Sequence, residues 1–240
     1  MNRRIVVGLI LAWMGVAALH AQDFEYAFQQ AQEAFELRSA NAQQSLKAYL
    51  ADYPYTPYVD EVYTMQGILL TEQKQYKPAV QTMAKVDVKQ LSRKMIPLYN
   101  FHMGYAYFQL GEESKALTYL QRLKKKDNPY ALQATYYVGC CYYNQREYGK
   151  ALVEFLTLEQ NGGYQQIAPY YIVQIYYAQG AYDKVLERAE MLLADYPENE
   201  YNDELHRIAG EIYYRDSVYE KAVSHLKDYH QLRVEKKQEV

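Results

Sequence analysis

The chain has 240 residues, half of them hydrophobic and 23% charged, with 29 Tyr against 6 Phe and 1 Trp. Eleven Gly and seven Pro are too few for a collagen-like or turn-dense all-β chain, and a mean hydropathy of -0.48 leaves no room for several membrane spans. A formal net charge of -3 gives nucleic acid no general electrostatic foothold, so nucleic acid is not an expected partner.

Residues 1–21 read as an export signal. Arg3 and Arg4 form a basic head, Ile5 to Leu19 is an apolar run too short for a comfortable membrane span, and Leu19-His20-Ala21 ends in a small residue suited to cleavage before Gln22. No Cys stands at the junction to accept a lipid. The expectation is an exported, periplasmic chain that begins near Gln22.

The remainder is repetitive. Leu50-Ala51-Asp52-Tyr53-Pro54 recurs as Leu193-Ala194-Asp195-Tyr196-Pro197, and the match continues through Tyr58 with Tyr201 and Asp60-Glu61 with Asp203-Glu204. A shorter signal repeats as Tyr76-Lys77-Pro78-Ala79, Tyr148-Gly149-Lys150-Ala151, Tyr182-Asp183-Lys184-Val185 and Tyr219-Glu220-Lys221-Ala222. Gly67, Gly104, Gly139, Val173 and Gly210 precede it at spacings of 37, 35, 34 and 37. Each unit offers two stretches of helical length with apolar positions near the 3.6-residue period, parted by breaks such as Gly111-Glu112, Asn144-Gln145 and Gln179-Gly180. Thr56-Pro57 and Asn128-Pro129 read as an N-cap followed by proline at the first helical position, and Asn161-Gly162-Gly163 stops a helix. The four glycines cost about 1 kcal/mol each in helix propensity, which makes sense if they let two helices approach closely. No strand-type alternation competes, so the pattern predicts twelve helices in six antiparallel pairs.

These residues resemble the tetratricopeptide-repeat family, whose unit is a 34-residue helical hairpin. The family's aromatic after the first small residue is Tyr107, Tyr142, Tyr176 and Tyr213, with Leu70 in the remaining unit. Its second-helix small residue is Ala79, Ala116, Ala151 and Ala222, with Val185 as the exception, and a large apolar residue follows at Met83, Leu120, Phe155 and Leu226. A first unit is degenerate: Ala42, Leu46 and Pro54 fit, while Gln30 replaces the small residue. The resemblance implies an all-α fold, an α-α superhelix or solenoid of six hairpins over residues 22–240. The polar stretch from Lys227 to Val240 either extends the final helix and solvates the end of the stack or marks the N-terminal part of a longer repeat array.

In this family the first helix of each pair lines a concave groove that takes an extended peptide or a partner helix. The face opposite Tyr107, Tyr142, Tyr176 and Tyr213 carries Phe101, Tyr105 and Phe108, then Tyr136 and Tyr143, then Tyr170, Gln174 and Tyr177, then Arg207, Tyr214 and Arg215. One ring of each tyrosine doublet is expected to pack between helices and its neighbour to face the groove, where Tyr offers a rigid surface and a hydroxyl. The charged groove that captures chaperone C-termini is not expected, because Thr64, Ile68 and Phe101 stand where its polar groups are needed. Lys124-Lys125-Lys126 reads as a solvated helix end.

Chemistry finds little support. His102, His206, His225 and His230 fail the i, i+4 metal spacing, and no HExxH, GxSxG, phosphate-loop or dinucleotide motif appears. Cys140 and Cys141 are neighbours that cannot pair inside a helix without distorting it, and they read as small buried thiols. No catalytic residue, metal or cofactor is therefore assigned. The expected function is a non-enzymatic protein-binding scaffold of the periplasm or cell envelope. The Tyr-Pro repeat ends resemble those of Gram-negative envelope repeat proteins, which implies outer-membrane or cell-wall assembly proteins as partners. The alternative is a glycan-binding module, for which Asn144 and Gln174 are the polar side chains near the rings.

Overall fold

A computed structural model describes residues 23–124 and 128–238. The signal reading at residues 1–21 and two of the three lysines, Lys125 and Lys126, lie outside the described residues. The chain divides into two compact units, one up to Leu123 and one from Lys124. Among the described residues every regular element is helical, and no helix is long and apolar enough to cross a membrane.

The first unit contains α1 (23–36), α2 (Ala42–Asp52), α3 (Val59–Glu72), α4 (Tyr76–Met83), α5 (Met95–Gln109) and α6 (Glu113–Leu120), the last prolonged by a 3-10 turn, Gln121–Leu123. Its core runs through all three hairpins, from Phe28 and Phe35 past Leu46, Ile68 and Met83 to Tyr99 and Met103. The second unit contains α7 (Ala131–Asn144), α8 (Tyr148–Leu158), α9 (Ile167–Ala178), α10 (Tyr182–Asp195), α11 (Asn202–Arg215) and α12 (Tyr219–Gln238). Here Phe155, Leu158, Ile172, Ile175 and Leu205 are fully buried, and α9, α10 and α11 share a core of Val173, Val185, Ala189, Leu205 and Ile208. Twelve α-helices pair as the periodicity predicts.

One turn closes all six hairpins. The second residue after the first helix enters the left-handed region at Arg38, Lys74, Gly111, Arg146, Gly180 and Ser217, with φ between 50° and 72°. The next amide then reaches back five residues, as in Gln75 N–H to Leu70 C=O (2.8 Å), Glu147 to Tyr142 (2.8 Å) and Val218 to Tyr213 (2.9 Å). Within four of the hairpins the repeat glycines admit the second helix. A Cβ on Gly67, Gly104, Gly139 or Gly210 would fall 2.2–3.0 Å from Met83, Leu120, Phe155 or Leu226 respectively, always sixteen residues on.

The junctions between hairpins correct the expected caps. Helices α3 and α7 start at Val59 and Ala131, two residues later than the Thr56 and Asn128 readings require, so Pro57 and Pro129 lie in the preceding turns. Thr56 spends its hydroxyl on Tyr53 C=O and on the Tyr49 hydroxyl, while Asn128 Oδ1 accepts the Tyr130 amide. The same side-chain turn recurs at Asn199, whose Oδ1 accepts the Tyr201 amide. Asn161 closes α8 as expected, its Nδ2 donating to Thr157 C=O. The C-terminal stretch continues α12 as far as Gln238, and Lys236 and Arg233 fold onto the buried Asp203 at the start of α11 (2.6 and 3.5 Å).

Candidate partner-binding surface

The repeat fixes the tyrosines in pairs of roles. The first ring of each doublet packs under a lysine of the second helix eight residues later: Tyr107 under Lys115, Tyr142 under Lys150, Tyr176 under Lys184 and Tyr213 under Lys221, at 4.9–5.3 Å from the ring centroid. Where Leu70 replaces the aromatic, Pro78 stands at the place of the lysine. The second ring meets, edge-on, the tyrosine that opens the second helix five residues later: Tyr143 with Tyr148, Tyr177 with Tyr182 and Tyr214 with Tyr219, at 5.8–6.0 Å. Each member of a doublet thus has its own contact on the second helix.

In the first unit, Phe101, Tyr105 and Phe108 all lie half-buried on α5. Phe101 and Tyr105 are parallel at 6.1 Å, and Tyr105 meets Tyr76 edge-on at 5.9 Å. In the second unit, α7, α9 and α11 bring most of the other candidates together. Tyr143 meets Tyr171 edge-on at 5.4 Å, and Tyr170 stacks on Tyr201 at 4.3 Å. Burial first, then the Glu204 charge and Tyr143, push the Tyr170 hydroxyl up to about 12. Burial, Tyr148 and Glu204 likewise raise Tyr143. Gln174, one turn from Tyr170, pulls that hydroxyl the other way through its side chain.

Arg207 anchors the far side. Its guanidinium grips both Glu204 oxygens and one oxygen of Glu211, and Tyr177 donates its hydroxyl to the other Glu211 oxygen (2.8 Å). Hydrogen bonds to Glu204, opposed by burial and aided by Glu211, raise Arg207 still further above its ordinary range. Arg207 is thereby held as a fixed strut. Arg215 lies 3.6 Å over the Tyr182 ring and bonds Asp216, whereas Tyr214 is 65% exposed.

Tyr136 is half-buried on α7. Its ring lies against Phe155, Tyr164 and Tyr171, and burial with Cys140 and Tyr171 alongside drives its hydroxyl well above the usual tyrosine range. Sequence reasoning missed Glu204, Glu211, Tyr171 and Tyr201 as parts of the surface. The i, i+3 and i, i+4 spacing of Glu204, Arg207 and Glu211 carried a signal, and Tyr177 and Glu211 are 34 residues apart, one repeat length.

The tetratricopeptide-repeat model matches residues 100–127. No curated protein matches the sequence. Among solved structures, MamA of AMB-1 is 18% identical with a TM-score of 0.61, covering 74% of this chain and 93% of MamA. A tetratricopeptide repeat protein from Parabacteroides merdae ATCC 43184 is 20% identical with a TM-score of 0.63, covering 88% and 80%. BtubC from P. vanneervenii is 11% identical with a TM-score of 0.59, covering 89% and 92%. At these identities the likeness establishes the fold, an all-α repeat of helical hairpins.

Proposed function

We propose, from a chain that is tetratricopeptide-repeat in its matched segment and in its fold, that it is a non-enzymatic scaffold which captures a protein partner on the first-helix face of its second unit. The observation that carries this reading is the surface shared by three first helices. Tyr143, Tyr170 and Tyr177 present large rings with hydroxyls, while the Glu204–Arg207–Glu211 strut holds the far edge and the Tyr177 hydroxyl in place. Rigid, hydroxyl-bearing aromatics lose little conformational entropy on binding and offer both area and polar contacts, as an extended peptide or an amphipathic helix requires. The N-terminal signal reading supports export to the periplasm, and with it a partner of the cell envelope.

The test is affinity capture from envelope extract with the wild-type chain and the Tyr143→Ala/Tyr177→Ala variant. Protein capture by the wild type that falls at least about tenfold in the variant, with helical content retained, supports the site. Equal capture by both removes it, and retention of polysaccharide without protein favours the glycan-binding reading instead.

A further inference from the structure

His206 and His225 are separated by 19 residues and by a turn, yet the last hairpin brings His206 Nδ1 and His225 Nδ1 to 3.0 Å. Both side chains are mostly buried, 18% and 12% exposed. The charged and titratable groups facing them come from three helices. From α10, Glu190 Oε1 lies 3.2 Å from His225 Nε2. From α11, the Tyr213 ring stacks on His225 at 5.5 Å and its hydroxyl donates to Glu190 (2.8 Å). From α12, Asp228 Oδ2 lies 3.8 Å from His206 Nδ1, and Lys221 Nζ donates to the Tyr213 hydroxyl (3.3 Å). Among the described residues no three His, Cys, Asp or Glu side chains are grouped to hold a metal ion, so the chemistry open to this cluster is the sharing of protons.

A contact between two ring nitrogens needs one hydrogen between them. With both rings neutral, the bare Nδ1 of His225 accepts from His206, and the remaining Nε2–H of His225 faces Glu190. With one ring charged, a single hydrogen again lies between the two. With both charged, two N–H groups point at each other and the contact cannot survive.

We propose that His206 and His225 form a proton-operated latch, which clasps α12 to α10 and α11 while the pair carries at most one positive charge and releases it when both rings are charged. Burial and the neighbouring His225 hold His206 below the usual imidazole range, against the pull of Asp228 and Glu190. His206 therefore becomes charged below the ordinary histidine midpoint of about 6.5, and the clasp loosens on the acid side of neutrality.

The experiment is a titration of the full chain between pH 7 and 5, following the histidine ring signals by NMR and the amide exchange of α12, corrected for intrinsic rates. The wild type should lose about tenfold of its α12 protection over this range, with the His206–His225 ring contact disappearing as His206 titrates. His206→Gln, which keeps a hydrogen-bonding group opposite His225 without a second charge, should hold its protection within about twofold. In His225→Gln the His206 midpoint should move up, while burial still holds it below the ordinary imidazole range. Wild-type α12 protection that is flat with pH, an equal loss in His206→Gln, or an unmoved His206 midpoint in His225→Gln would each overturn the latch. The ring contact is read in the wild type alone, so the test stands even if a substitution unsettles the hairpin.

Discussion

Gly104 lies so close to Leu120 that a Cβ on the glycine would stand 2.6 Å from the leucine Cγ and 3.3 Å from the carbonyl oxygen of Ala116. The flexible leucine side chain can bend away, but that backbone oxygen cannot be moved without moving α6. The fifth hairpin solves the same steric problem in reverse. Val173 holds the glycine position, and Ala189 replaces the large residue sixteen places on, both fully buried in one cluster with Val185. Volume is exchanged between the two helices and their close approach is kept.

Gly104→Ala should therefore destabilise the first unit by up to about 2 kcal/mol, since overpacking of about 1–3 kcal/mol is set against a helix-propensity gain of about 1 kcal/mol. Gly104→Val with Leu120→Ala copies the Val173–Ala189 arrangement. It should cost less than the two single substitutions summed, by more than the ~0.5 kcal/mol expected of independent sites. Urea unfolding of the four proteins measures the coupling; simple additivity would show that the two positions do not share one space.

The hairpin turns make the opposite demand on glycine. Arg146 and Ser217 hold left-handed φ values of 60° and 61°, in the position that Gly111 and Gly180 occupy at 72°. A side chain there is strained by about 1 kcal/mol, and nothing lies within 4 Å of a Cβ built on Gly111, so the effect is one of backbone alone. Arg146→Gly and Ser217→Gly should each stabilise by up to about 1 kcal/mol, and Gly111→Ala should destabilise by about as much. Thermal melts decide it; a loss of stability in both glycine variants would contradict the shared turn.

The two uses of glycine show what the sequence could and could not convey. The close-approach glycines recur in register with Ala and a large apolar residue, so the helix pairs were legible from spacing alone. The turn was legible only where it contains Gly111 or Gly180, because Arg38, Lys74, Arg146 and Ser217 carry no local mark of a left-handed backbone. Tyr136 and Tyr143 share a helical stripe, and Tyr171 of the following hairpin meets both rings, a tertiary contact invisible to periodicity. The His206–His225 contact was hidden for a related reason: its 19-residue spacing acquires meaning only once α12 folds against α11.

Cys140 and Cys141 form no disulfide and are buried as thiols, 4% and 0% exposed. Burial pushes the Cys140 thiol up to about 11, even though Tyr171 and Tyr136 hydrogen bonds pull the other way. Reactivity follows the thiolate, so a thiol reagent at pH 8 should label neither cysteine in the native chain and both in denaturant. Rapid native labelling, or an intramolecular disulfide after oxidation, would contradict the buried pair.

His102 gives the first unit an acid-sensitive component. Burial, joined by Arg38 and opposed by Glu72, lowers its imidazole to about 4, and its Nδ1 is buried without a hydrogen-bond partner. In the unfolded chain the same ring titrates near about 6.5, so between the two values the unfolded state binds the extra proton. The stabilisation held by the neutral buried ring is thus complete above pH 6.5 and drains away as the pH falls toward 4. A depression of this size corresponds to about 3 kcal/mol at its full extent. His102→Gln removes the titrating group, so its unfolding free energy should fall less steeply than that of the wild type across this window, whatever its absolute stability. Denaturant unfolding at pH 7, 5.5 and 4 measures the two slopes, and parallel slopes would show that His102 is solvated enough to accept its proton in the folded chain.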